Sequence, residues 1–261
     1  MFETLDYSVE DGVARILLDR PARHNAVNSA MSRELPRVWA RFKADPEAIV
    51  AVLTGAGDKA FCTGADIADL PQLDDGAGSV KQQLRWTPLQ NAVWKPVICA
   101  VNGMAVGGGL HFVADCDIVI ASQTASFFDT HVRVGLVAGL EPVVLARKIG
   151  FEAVMRMALT GGGERMSAER ALAVGLVGEC VPPDRLMARA MEIAALVKQN
   201  APMAMARTKQ ALWQSLELPL AAALDNAARL IEANNAGADF IEGQAAFLER
   251  RAPRWSPYHE G

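Results

Sequence analysis

The chain has 261 residues, of which 51% are hydrophobic and 21% charged, with a formal net charge of −4. That length allows one sizeable core or two small domains of an ordinary soluble protein. The mild acidity excludes the basic footprint of a protein that binds nucleic acid or an anionic membrane.

No apolar run approaches the ~18 residues of a spanning helix. The opening MFETLDYSVEDG lacks a basic region followed by an apolar one, so no signal peptide is expected. Cys62, Cys99, Cys116 and Cys180 form no C-x-x-C pair and no zinc pattern, which suits reduced thiols in a cytoplasmic protein with no metal.

Residues 3–9 and 13–18 read as strands turned by Asp11-Gly12. After the polar loop DRPARHNAVN, Asn28 is placed to cap a helix reaching about Lys43, with Pro36 expected to delay or bend it. IVAVLTG, 49–55, reads as a buried strand, followed by the small-residue loop GAGDKAFCTGADIADL. Residues 71–80 read as a mobile segment and 80–94 as a helix. Strands are expected at 97–101, 118–121, 126–129 and 177–181. Helices are expected from Pro142 to Gly150, from Phe151, and from Ser167 to Gly175. Beyond Pro183 strand signals stop, and helices are expected over 184–199, 202–216, 219–236 and 238–251. The division is an α/β core over 1–190 and a helical region over 191–261.

The stretch 96–117, PVICAVNGMAVGGGLHFVADCD, joins a buried strand, a glycine run (Gly107, Gly108, Gly109) and a helix start. A dinucleotide fingerprint would need G-x-G-x-x-G, which this spacing does not meet. The glycines could instead let a helix pack on a strand, or present free N–H groups to an oxyanion. A second loop, Gly64-Ala65-Asp66-Ile67, also follows a strand. Ala65 and Gly108 could then aim two N–H groups at one oxygen.

The motifs DRPARHNAVN, VLTGAGDKAFCTGADI, KPVICAVNGMAVGGG, VADCDIVIAS and LTGGGERMSAERALAVGLVGECVP, in that order, resemble the crotonase superfamily, the enoyl-CoA hydratase/isomerase family. The resemblance covers about residues 3–251. It implies a spiral of ββα units capped by C-terminal helices, assembled as homotrimers or dimers of trimers. It implies an acyl-CoA substrate whose thioester oxygen sits between the N–H groups of Ala65 and Gly108, coenzyme A being part of the substrate and no separate cofactor being needed. Coenzyme A contacts would fall on Arg23, His24, Ala65, Asp66 and Ile67, and on Arg250 after Phe247.

The chain departs from that pattern at both catalytic slots. Hydratases of the family carry Glu two residues after the glycine run and Glu four residues before a later Gly; here these are His111 and His131. Imidazole can act as acid or base near neutral pH, so both histidines are expected to be catalytic. Asp129, two residues before His131, would share its strand face and orient the ring. Glu141, before Pro142, is expected either to favour a helix N-terminus or to be a third catalytic group.

The expected activity is fatty-acid-type lyase or isomerase chemistry on an enoyl-CoA. Hydrolytic carbon–carbon cleavage of a β-keto compound and a catalytically silent CoA-binding subunit are the alternatives. A serine hydrolase is disfavoured because no G-x-S-x-G elbow occurs.

Overall fold

The computed structural model describes residues 2–72 and 78–259. Residues 73–77, the middle of the stretch read as mobile, lie outside the described residues.

A hairpin opens the fold. β1 (Leu5–Glu10) pairs antiparallel with β2 (Val13–Leu18). Asp11 and Gly12 join them at φ of 49° and 76°, the left-handed pair that a tight hairpin turn demands. α1 (Ser29–Ala44) follows, and the Asn28 side chain accepts the Met31 N–H at its start. Pro36 neither delays nor breaks it. Leu35, Trp39 and Phe42 are fully buried on its inner face, and that burial outweighs one missing hydrogen bond.

Three units of one plan come next. β3 (Val50–Gly55) and β4 (Ala60–Cys62) precede α2 (Val80–Gln83). β5 (Val97–Val101) and β6 (Met104–Val106) precede α3 (Leu110–Asp115). β7 (Ile118–Ser122) and β8 (Ser126–Phe128) precede α4 (Leu140–Lys148). The first strand of each unit joins one sheet and the second joins another. α5 (Phe151–Leu159), β9 (Met166–Ser167), α6 (Ala168–Ala173) and β10 (Glu179–Val181) complete the layers. The larger sheet has the order β1-β2-β3-β5-β7-β10 and the smaller β4-β6-β8-β9. All neighbours from β2 to β10 in the larger sheet run parallel. This is the α/β spiral of ββα units that the sequence implied.

Phe61, Phe112 and Phe127 fill the main core, with Phe61 and Phe112 edge to face at 6.1 Å. α7 (Leu186–Val197) lays Leu186, Ala190 and Ala194 over Val50, Ile98 and Ile120 on the other face of the larger sheet. α8 (Pro202–Ser215), α9 (Leu220–Asn235) and α10 (Ala238–Glu249) follow. α8 is pinned to the core by Lys209 Nζ at 2.8 Å from Asp117 and by Trp213 Nε1, which donates to Asp117 at 2.8 Å. Among the described residues, no helix is long and apolar enough to cross a membrane.

The expected helix over 80–94 is corrected. Only α2, a single turn, and a 3-10 turn at Leu89–Asn91 form there. Pro88 disfavours helical backbone at the residue before it, and Leu84 already leaves the helix at ψ 94°.

Candidate active site

Two backbone loops meet at the centre of the fold. Val27 donates its N–H to Gly64 O at 2.7 Å, and Asp66 donates its N–H to Val27 O at 2.9 Å. Both neighbours of Ala65 are thus bonded to Val27, and the strand-like alternation turns the N–H of Ala65 to the opposite side. The glycine run stands close by. A Cβ added at Gly64 would lie 2.8 Å from Gly108 N, and one added at Gly108 would lie 3.6 Å from Ala65 N. A Cβ at Gly109 would strike Cys62 O at 2.1 Å. The glycines are therefore required both for close packing and for bringing the Ala65 and Gly108 amides together.

Gly107–Gly109 form a 3-10 turn that runs into α3. This puts His111 in the first turn of that helix, buried, with Nε2 3.2 Å from Glu141 Oε1. Glu141 comes from α4 and is itself buried. The Trp86 indole meets the His111 ring edge-on, with centroids 6.0 Å apart, and is fixed by donation from Nε1 to Ser32 Oγ at 2.9 Å.

One helical turn beyond His111, Asp115 accepts a hydrogen bond from Thr87 Oγ1 at 2.6 Å. Its other oxygen is buried and has no partner among the described residues. Burial holds its carboxyl above the ordinary carboxylate range, with Thr87, His111 and Lys148 opposing the shift. Sequence reasoning passed over Asp115 and Trp86. The i, i+4 spacing from His111 was the signal available for Asp115; Trp86 had none.

His131 and Asp129 do meet, but not across a strand face. β8 ends at Phe128, and His131–Val134 form a 3-10 turn. Asp129, fully buried, accepts the His131 backbone N–H at 2.8 Å. The ring Nδ1 of His131 lies 3.0 and 3.1 Å from the two Asp129 oxygens. Asp side chains favour such local turns, and here the turn holds Nδ1 against Asp129, while Nε2 has no hydrogen-bond partner among the described residues. The Asp129 hydrogen bond, with the charges of Glu141 and Asp129 adding, lifts the His131 pKa above its ordinary value against the effect of burial.

These contacts form one cluster. A Cβ at Gly107 would be 3.4 Å from His131 Cε1, and one at Gly108 would be 3.0 Å from the Trp86 ring. Glu141 lies at ion-pair distance from His111 and also acts electrostatically on His131. A cavity of about 990 Å³ opens from His111 and Asp115 between α4 and α8.

The residues expected on the coenzyme A side are more scattered. Arg23 and His24 are exposed on a 3-10 turn, His24 at φ 51°. Asp66 is held by Arg20 Nη2 at 2.9 Å, while Ile67 is 78% exposed beside it. Arg250 is exposed at the end of α10, and no hydrogen bond or ion pair ties its side chain among the described residues.

The sequence profile of the enoyl-CoA hydratase/isomerase family matches residues 8–257. The chain belongs to that family. A crystal structure of an enoyl-CoA hydratase/isomerase from Mycobacterium paratuberculosis superposes with a TM-score of 0.89 at 41% identity, covering 98% of this chain and 99% of the other. The (E)-benzylidenesuccinyl-CoA hydratase of Thauera aromatica is 39% identical over 94% of this chain and 96% of its own. The mevalonyl-coenzyme A hydratase of Aspergillus fumigatus is 36% identical over 93% and 90% respectively. As a member of the enoyl-CoA hydratase/isomerase family, the chain is an enzyme of acyl-CoA chemistry.

Proposed function

We propose that this enzyme is a lyase of the hydratase type, adding water to the double bond of an enoyl-CoA thioester or removing it in reverse. The observation that carries this is the carboxylate on each catalytic-slot histidine: Asp129 on His131 at 3.0 Å and Glu141 on His111 at 3.2 Å. A carboxylate on one ring nitrogen fixes the tautomer and steadies the imidazolium that forms. His131 thus works through Nε2, and the His111–Glu141 pair forms the second acid/base unit.

Water loses a proton to His131 Nε2 as its oxygen bonds the β-carbon. The electrons of the double bond move onto the thioester oxygen, where the Ala65 and Gly108 amides stabilise the enolate. The His111–Glu141 pair then delivers a proton to the α-carbon. Arg23, His24, Asp66 and Ile67 flank the coenzyme A side, and Arg250 serves its phosphates. The tail α8–α10 carries exposed Leu220, Ile241 and Phe247, which supports a homo-oligomer; the proposed state is a trimer or dimer of trimers and the proposed location the cytoplasm. Names of the relatives agree on hydration chemistry but not on acyl group: benzylidenesuccinyl-, mevalonyl- and carnitinyl-CoA.

A second reading rests on the His131–Asp129 pair alone. The same hydroxide could attack a β-carbonyl, and the cleaved fragment would leave as an enolate into the same amide pair. Mass spectrometry of products from crotonyl-CoA and from a β-keto thioester separates the two. A water adduct of crotonyl-CoA supports the lyase, and two carbon fragments from the β-keto compound support cleavage. Unchanged thioesters throughout, with binding retained, leave a silent CoA-binding subunit.

A further inference from the structure

The cavity that opens from His111 has an apolar body and a cationic rim. Leu89, Trp94, Leu140 and Val143 supply the body. Lys81, Arg85 and Arg147 line it as well. Among the described residues, no acceptor pairs with the side chain of any of these three, whereas Arg20, Arg156, Arg189 and Arg251 all hold carboxylates. One exposed carboxylate, Glu217, stands on the same lining. Asp115, whose second oxygen is buried without a partner among the described residues, also lines the cavity.

His111 lines the cavity, whereas Ala65, Gly108 and the coenzyme A-side residues Arg23, His24 and Ile67 do not, so the cavity is the space beyond His111. If the thioester lies at Ala65 and Gly108, as the proposed function has it, the three cations sit on the acyl side. All three cations are exposed to solvent at the cavity wall, and a plain hydrocarbon chain would offer them no partner. A carboxylate would take charge-assisted, bidentate bonds from arginine.

We propose that the acyl group carries a carboxylate of its own, bound by Arg85 and Arg147 with Lys81 adding to the field, so that the substrates are monothioesters of dicarboxylic acids. This rests on the acyl-CoA reading of the site.

The test is equilibrium binding, which needs no turnover. Succinyl-, glutaryl- and adipoyl-CoA are compared with butyryl-, valeryl- and hexanoyl-CoA by calorimetry, with free coenzyme A as reference. The wild-type protein is expected to bind at least one dicarboxylic thioester ~10-fold more tightly than its neutral counterpart, as one charged hydrogen-bonded contact allows. Arg85→Gln/Arg147→Gln should bring that ratio close to unity and leave the free coenzyme A affinity little changed. Equal or tighter binding of the neutral series, or a preference that survives the double substitution, overturns the inference while the acyl-CoA reading stands. An equal loss for free coenzyme A would assign the cations to its phosphates and also overturn it. Binding of no thioester at all would remove the acyl-CoA reading itself.

Discussion

Glu141 Oε1 lies 3.2 Å from His111 Nε2 although the two come from different helices, α4 and α3, and both side chains are buried. The contact brings a carboxylate to the position that the family resemblance assigns to Glu and that His111 occupies here. Glu141 also acts on His131, so one carboxylate links the two proposed acid/base units. Glu141→Gln should lower turnover by ~10²-fold or more if the pair transfers a proton. His111→Ala should cost about as much, and the double variant little beyond either alone, because residues acting as one unit are not additive. Steady-state kinetics of the three variants would check this; additive losses would separate the two residues.

Asp129→Asn should move the acid limb of kcat/KM. The Asp129 hydrogen bond raises the His131 pKa, so the base is neutral only above that raised value. Removing the charge lets His131 deprotonate at lower pH, and the limb should shift to lower pH while the plateau falls. An NMR titration of the His131 ring should place the wild-type midpoint above ~6.5 and the variant below the wild type.

The same pair links stability to pH. A folded pKa raised above the unfolded value adds stability below ~6.5, and this is lost as pH rises through the folded value. Asp129→Asn should therefore destabilise the protein more at pH ~5.5 than at pH ~9. Urea melts of wild type and variant at both values measure it; an equal or reversed difference would deny the charge interaction.

Gly64→Ala should damage both folding and activity. Gly64 sits at φ +82°, and its added Cβ would come within 2.8 Å of Gly108 N and 3.0 Å of Val106 O. The left-handed backbone alone costs about 1–2 kcal/mol with a side chain, and the clash falls between the two amides proposed to hold the enolate. Gly150→Ala is the control, since nothing lies within 4 Å of its added Cβ. Thermal melts and kcat should separate the two substitutions.

Local rules made much of the fold legible. Asp11-Gly12 and the Asn28 cap carry their geometry in their own chemistry, and the structure reproduces both. Pro36 misled because a helix is judged by propensity in the sequence but held by the burial of Trp39 and Phe42 in the fold. The stretch 80–94 misled in the other direction, since Pro88 disfavours helical backbone at the residue before it. Within the candidate site, the two loops and the two histidines could be singled out because they sit on a spaced motif. The Glu141–His111 contact was not, since two helices 30 positions apart in sequence meet only through the spiral. Asp129 and His131 were paired correctly but for a strand that stops one residue too early.

The most direct test of the two imidazole–carboxylate pairs is the rate of labelled-water addition to a panel of straight-chain, branched and carboxyl-bearing 2-enoyl-CoA thioesters in ¹⁸O water. Wild type and His131→Ala are followed side by side by mass spectrometry. A labelled adduct from wild type, formed at least ~10²-fold more slowly by His131→Ala while the fold and thioester binding persist, is the expected result. An adduct formed by the variant at the wild-type rate, or no adduct from any thioester with either protein, would contradict the account.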